Sequence, residues 1–309
     1  MSLKKACLLT NDVETTSIWH NTLRDRTGEK VLKEGMPLLL DLYQKYDIRS
    51  TFFFTGYTAK KFPEMVRMVL PQGHEVGCHG LSHEPDNALD LLDYRQQVKQ
   101  LQEARKILED ISGEEVISFR APALRVNEFT PAALDDAGFR IDSSIASQRF
   151  DMFLSFGSIK KLNRLFAPRL PYRADRSNLN KAGAGPVIEI PISAFIMPYI
   201  GTTLRIFPLL TRLLRYFLHA ESGFNRKPLV FLFHPNELID ESAEPTEKKR
   251  RAKNLFSYLL ADLFRHKLKM KNLGPAALPI YEREIEFFHK KQYPFLTVKD
   301  YCRQAGFLH

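Results

Sequence analysis

Two imidazoles stand four residues apart in His79-Gly80-Leu81-Ser82-His83. On one turn of helix, side chains at i and i+4 leave the same side, so the pair could share a metal ion. The chain holds 9 histidines among 309 residues, so a histidine-rich composition does not account for the pairing. Two unrelated polar loop residues would show the same spacing, and the spacing alone does not separate the two readings. A catalytic zinc site usually takes three protein donors, so a hard anionic ligand is still needed. Asp12-Val13-Glu14 offers two. In an extended chain side chains alternate, which puts Asp12 and Glu14 on one face and Val13 on the other. One carboxylate would hold the metal while the other serves as general base toward a water that the metal acidifies. A solvated acidic turn is the bland alternative.

Two further residues could join this chemistry. Phe119-Arg120-Ala121-Pro122 carries a guanidinium able to orient a carboxylate through paired hydrogen bonds. His234-Pro235 follows the apolar run Leu229 to Phe233, at a point where a general acid could face a pocket; a core histidine is the competing reading.

The elements that must position these residues follow a βα rhythm. β-rich runs are expected over Ala6 to Thr10, Arg49 to Phe54, His74 to Cys78, Val116 to Phe119, Phe139 to Ile141, Val187 to Ile190 and Leu229 to Phe233. Helical patterns lie near Lys30 to Tyr46, Ala59 to Leu70, Leu92 to Ile111 and Thr130 to Ala137. Such alternation builds a parallel sheet or barrel. Asp12, His79, Arg120, Ser143 and His234 all fall just beyond the carboxyl ends of expected strands, the face on which βα barrels assemble their sites. A basic insertion over about 155–224 interrupts the rhythm, and a helical part follows over about 241–309. With no linker rich in Gly, Ser or Pro and no internal repeat, residues 1–309 read as one domain.

Taken together these residues resemble the NodB-homology polysaccharide deacetylases, carbohydrate esterase family 4, from Ala6 to about Leu238. Pro294 to Gly306 also resembles the family's closing helix. The resemblance implies an α/β fold, a distorted (β/α)7 TIM-like barrel of the glycoside hydrolase/deacetylase type. Thr10-Asn11-Asp12-Val13 corresponds to the first motif, Thr-Phe-Asp-Asp, which makes Asp12 the implied catalytic base. Val13 stands where the family's metal-binding Asp is usual. A subgroup carries Asp-x-Asp or Asp-x-Glu instead, so Glu14 resembles the replacement ligand. His79 and His83 match the metal pair of the second motif, with Gly80 where a hydroxyl residue is common. Arg120 and Pro122 match the third motif, whose Arg holds the base. Gly138-Phe139-Arg140-Ile141-Asp142-Ser143-Ser144 resembles the fourth, which lines the pocket and places Ser143 and Ser144 at the substrate. His234 matches the fifth motif as general acid, with Leu232 beside it in the apolar groove wall; Pro122 is likewise expected at the substrate.

The implied activity is hydrolysis of an N-acyl amide, chiefly N-acetyl, on an amino-sugar glycan or glycolipid, with one divalent metal ion, zinc first. Two alternatives stay open: a deformylase or other amide hydrolase of the same fold acting on a lipid-linked sugar or cyclic amide, and a non-catalytic carbohydrate-binding protein. A binding module would not need Asp12, His79, His83, Arg120 and His234 together.

Composition bounds the setting. The formal charge is +9 with a pI near 9.3, which favours anionic partners. No zinc finger, helix-turn-helix or aromatic RNA-binding motif accompanies it, so nucleic acid is not expected; the run Lys248-Lys249-Arg250-Arg251 reads as a solvated helix start. Cys7, Cys78 and Cys302 describe no disulfide framework and suit a reducing compartment. The short Met1 to Lys5 lead and the absence of a spanning apolar run suggest a cytoplasmic protein, with the inner membrane face as a candidate location. Arg205 to His219 has helical amphipathicity, with Ile206, Leu209, Leu210, Leu213, Leu214, Phe217 and Leu218 on an apolar arc and Arg205, Arg212, Arg215 and His219 on a basic one. Three uses are open: packing on the barrel, contact with an anionic membrane reinforced by Lys160, Lys161, Arg164, Arg169, Arg173 and Arg176, or a homo-oligomer interface.

Overall fold

A computed structural model describes residues 4–147, 164–244 and 265–308. The Lys248 to Arg251 run, Lys160 and Lys161 lie outside the described residues. The strands are β1 (Cys7–Val13), β2 (Thr51–Phe54), β3 (Glu75–Cys78), β4 (Ser118–Phe119), β5 (Ile141–Asp142), β6 (Tyr172–Asp175), β7 (Asn178–Ala182), β8 (Ile188–Glu189), β9 (Ala194–Phe195), β10 (Met197–Pro198) and β11 (Leu229–Phe233). The α-helices are α1 (Asp25–Lys30), α2 (Met36–Lys45), α3 (Gly56–Lys61), α4 (Pro63–Val69), α5 (Tyr94–Ser112), α6 (Thr130–Asp136), α7 (Gly201–Ile206), α8 (Pro208–Asn225), α9 (Arg265–Lys269), α10 (Ala277–Lys290) and α11 (Val298–Gln304).

Seven strands run parallel in the order β11-β1-β2-β3-β4-β5-β8, and the β6-β7 hairpin adds antiparallel to β8. β8 and β11 do not pair. Ser193, just past β8, bridges the gap, its N–H donating to the Val230 carbonyl and its Oγ accepting from the Val230 N–H, both at 3.0 Å. The sheet is therefore a curled seven-stranded barrel whose last seam is bridged by Ser193 and by the parallel Ile200–Leu232 bridge, the distorted (β/α)7 form expected.

Period-two geometry sorts β1 into two cores. Cys7, Leu9 and Val13 pack outward against the helices, while Ala6 and Leu8 pack inward with Phe53, Ile188, Val230 and Leu232. α11 plugs the end of the barrel opposite the strand C-termini. Val298, Tyr301 and Cys302 join the inner core, and the Val298 and Lys299 N–H groups donate to Thr51 Oγ1 and Glu75 Oε2. All three cysteines are buried and free. Among the described residues no helix is long and apolar enough to cross a membrane.

Three expected helices differ in detail. The one over Lys30 to Tyr46 contains a π-helical stretch, Val31–Gly35, before α2. The one over Ala59 to Leu70 divides at Phe62, because Pro63 has no N–H to continue the ladder and instead starts α4. For the same reason the segment Arg205 to His219 divides at Phe207, and Pro208 starts α8. The basic arc expected there is also revised. Arg205 and Arg215 are buried in ion pairs with Glu237 and Glu284.

His74 reports how well the outer core excludes water. It lies between Tyr43 and Phe52, its Nδ1 accepts from the Ser50 N–H at 3.1 Å, and burial lowers its pKa from 6.5 to about 4. The unfolded chain takes up the proton near the ordinary value and the folded chain resists it until about 4, so stability falls as pH falls through that window. The expected loss attributable to this residue is on the order of 3 kcal/mol. Urea denaturation of wild type and His74→Gln at both ends of the window should show a shallower acid loss in the variant; parallel losses would contradict it.

Candidate active site

The site is built on the inward parity of β1. Asp12 and Glu14 share the face that carries Leu8 and Thr10, whereas Val13 packs outward, so both carboxylates enter the barrel mouth, where both are buried. The strand runs to Val13, three residues beyond the expected Thr10.

Arg120, at the end of β4, crosses the mouth with no solvent exposure. Its Nη1 donates to Thr10 Oγ1 at 2.8 Å and Asp12 Oδ1 at 2.9 Å, its Nε to the Ser143 carbonyl at 2.9 Å, and its Nη2 to Ser143 Oγ at 2.8 Å. The guanidinium lies over the Phe53 ring, 4.5 Å from its centroid. Burial alone would raise the Asp12 pKa; Arg120, His79 and His234 outweigh it and hold the carboxyl below its ordinary range. Asp12 is thus kept ionised in a nearly dry setting.

His79 and His83 converge, their Nε2 atoms 3.2 Å apart. The helical turn expected between them is absent. Gly80 has φ +71, a left-handed conformation that favours glycine, and a Cβ there would approach Pro122 Cγ to 2.9 Å. The departure from the hydroxyl residue at this position thus has a steric cause. The loop is pinned by the Gly56 and Tyr57 N–H groups of α3, which donate to the Gly80 and Leu81 carbonyls. His79 Nδ1 donates to the Arg120 carbonyl at 2.8 Å, leaving Nε2 as the lone-pair nitrogen. Burial lowers the His79 pKa to about 4, so the ring is neutral, as a ligand must be.

Glu14, His79 and His83 each bring one donor atom within 4.8 Å of the others. Glu14 Oε2 is buried without a hydrogen-bond partner and closely approaches His83 Nε2. Burial pushes the Glu14 pKa up, yet the neighbouring His83 pulls it down to about 2. Two imidazoles and an ionised carboxylate converging on one point, with a buried carboxylate oxygen among them, fit a divalent cation. Asp12 Oδ2 lies beside this group, 3.6 Å from His79 Nε2.

His234 follows β11 and stands across Asp12, with Nε2 4.0 Å from Asp12 Oδ2. Its support was not anticipated from the sequence. Nδ1 meets Glu237 Oε1 at 3.1 Å, and Glu237 Oε2 pairs with Arg205 Nε. Arg205 is anchored in turn on the Lys269 and Lys271 carbonyls. Burial would lower the His234 pKa, but the hydrogen bond and charge of Glu237, with Asp12 and Glu14 behind them, raise it to about 9. Gly201 admits this arrangement, since a Cβ there would meet Glu237 Oε1 at 2.5 Å. The i, i+3 spacing of His234 and Glu237 is a local signal; Arg205 carries none.

The remaining expected residues lie behind the site. Ser143 Oγ donates to the Ile190 carbonyl, and Ser144 Oγ donates to Asp142 Oδ1 while accepting from the Ala121 N–H. The Ser143 hydroxyl is buried bracing for Arg120 and the Ser144 hydroxyl for the Ala121 backbone, and Pro122 and Leu232 are buried too. Asp142 and Glu189 form a further unanticipated pair, each pKa raised by burial first and Glu189 also by the adjacent Asp142. A Glu inside the apolar run Val187 to Ile190 is the signal that could have found it.

Residues 11–141 match the sequence model of the polysaccharide deacetylase family. This part of the chain is similar to that family. A Helicobacter pylori peptidoglycan deacetylase is 32% identical over 116 residues, covering 38% of this chain and 39% of the relative. A Bacillus cereus peptidoglycan-N-acetylglucosamine deacetylase is 33% identical over 70 residues, 23% of this chain and 26% of the relative. The chain spans about two-fifths of the length of the Helicobacter pylori relative, and 44% of a Bacillus subtilis polysaccharide deacetylase homologue. In fold, a Mycobacterium smegmatis protein assigned as a polysaccharide deacetylase superposes over 99% of this chain and 94% of its own, with TM-score 0.63 and 19% identity.

The buried Arg205–Glu237 pair can be probed directly. Glu237→Gln should lower stability by about 3–5 kcal/mol, because Arg205 is left buried without its counter-charge. Adding Arg205→Met should recover part of that loss. Urea midpoints of the three proteins check this, and a single-variant loss within measurement error would contradict the assignment.

Proposed function

We propose that this chain is a metal-dependent hydrolase that removes an N-acyl group, chiefly N-acetyl, from an amino-sugar glycan or glycolipid. The observation that carries the reading is the meeting, in one barrel mouth, of the Glu14, His79, His83 donor set with the Arg120-held Asp12 and the Glu237-held His234. The names of the relatives, deacetylases of peptidoglycan and its N-acetylglucosamine, agree with it.

Glu14, His79 and His83 would hold the cation, with zinc the first expectation for two imidazoles and a carboxylate. When bound, such an ion supplies Lewis acidity to the amide carbonyl and acidifies a water. The protein's own residues do the rest. Asp12, kept ionised by Arg120, is the general base that accepts the proton of the attacking water. Arg120 keeps the Asp12 carboxylate turned toward the donor set. His234, kept protonated by Glu237, faces the same mouth from β11 and delivers its Nε2 proton to the departing amine. Acidic and basic roles are separated by environment.

The reading is tested by metal analysis and by acetate release from N-acetylglucosamine oligomers, with formylated sugars and cyclic amides as competitor substrates. One equivalent of divalent metal is expected in the wild type. Glu14→Gln and His83→Ala should lose metal, whereas Asp12→Asn and His234→Ala should keep it and lose about 10²–10⁴ in kcat. Unchanged turnover in Asp12→Asn and His234→Ala would overturn the roles. Metal binding without acetate release, together with turnover of a ring amide, would move the substrate class.

A further inference from the structure

Helix α8 buries Leu214 and Leu218 in the core and three polar side chains beside them. Thr211 Oγ1 donates to the Phe207 carbonyl, Arg215 pairs with Glu284 at 3.0 Å, and Ser222 Oγ donates to the Lys227 carbonyl. The outward face of the helix carries Leu209, Leu213, Phe217 and Phe224, with Leu209 71%, Phe217 63% and Phe224 93% exposed. These residues recur at helical spacing, so they form one stripe. The β9-β10 hairpin extends it. Phe195 stacks on Phe217 at 5.7 Å, and Ile196 beside it is exposed. A continuous apolar surface of this extent is unusual on a soluble protein and marks a contact surface.

Charge identifies the occupant. The exposed positions of α8 comprise Leu, Tyr, Phe, Ala and Gly with one cation, Arg212, and no anion. The acid nearest the stripe, Glu221, is neutralised by Arg169 and Lys227. Arg226 closes the helix, and Lys5 and Lys291 lie close enough to lower the His219 pKa, after burial. An apolar stripe rimmed by cations complements an anionic lipid surface. A second copy of a chain carrying a net +9 would bring like charge together.

We infer that the outward face of α8, with the tip of the β9-β10 hairpin, docks on an anionic lipid bilayer surface. The helix lies in the interfacial plane, with Leu209, Leu213 and Phe217 among the acyl chains and Arg212 at the headgroups. Only the kink at Phe207 separates it from α7, whose Arg205 holds Glu237 behind His234. Docking by this face does not depend on the proposed activity.

The test is sedimentation of the full chain with phosphatidylcholine vesicles, with and without roughly one-third phosphatidylglycerol, at low and high salt. Binding is expected on the anionic vesicles and weaker at high salt. Leu213→Glu/Phe217→Glu should reduce it more than about tenfold. Arg212→Glu should reduce it less, and both variants should keep the wild-type melting temperature because the altered side chains are exposed. No binding to either vesicle, or binding that the double variant leaves intact, would overturn the proposal. So would a dimer in analytical ultracentrifugation that the double variant dissociates while vesicle binding is absent.

Discussion

A guanidinium buried in the mouth of the barrel is the constraint to which the rest of the site answers. Leaving such a charge without partners would be strongly destabilising, so it must be met by acceptors in a dry setting. Arg120 meets them on β1 through Thr10 and Asp12 and just past β5 through Ser143, so one side chain ties three strands together at the end where the site opens. Ser143 and Ser144 are consequently occupied with bracing, and Asp12 is ionised because Arg120 must be paired. The Arg120 carbonyl accepts a hydrogen bond from His79, so the His79 imidazole and the Asp12 carboxylate share a support.

Two histidines in one pocket are driven in opposite directions by their surroundings. His79 is buried against a neutral carbonyl and stays unprotonated, with its pKa near 4; His234 is backed by the Glu237 carboxylate and holds its proton up to about 9. In the proposed roles, ligand and acid are the same residue type with different neighbours. Burial makes the difference for His79, whereas His234 owes its shift to Glu237 just past β11, itself held by Arg205 from a second segment, the one between β8 and β11. That second segment also supplies Ser193 and Ile200, which bridge the barrel seam, and α8, so barrel closure, the support of His234 and the apolar outer face depend on one stretch of chain.

The amino-acid sequence by itself determined the barrel and most of the polar residues that meet at its mouth. Seven β-rich runs at βα spacing correspond to the seven parallel strands, because buried strands need apolar runs whatever their partners. Asp12 and Glu14 share a face because period two is a local property of an extended chain. The parts that were illegible depend on contacts distant in sequence. Glu237 gains its role only because Gly201 leaves room for it and Arg205, 32 residues earlier, is buried against it. His79 and His83 meet through a left-handed Gly80 loop held by α3 rather than through a helix. The periodicity of α8 was legible, but which arc faces inward was not: buried acids such as Glu284 and Glu237 reward an inward arginine, and a helical pattern read alone carries no information about them. Local periodicity decides what can form; the partners that tertiary structure brings within reach decide which charges are buried, which imidazole keeps its proton and which face is left for another surface.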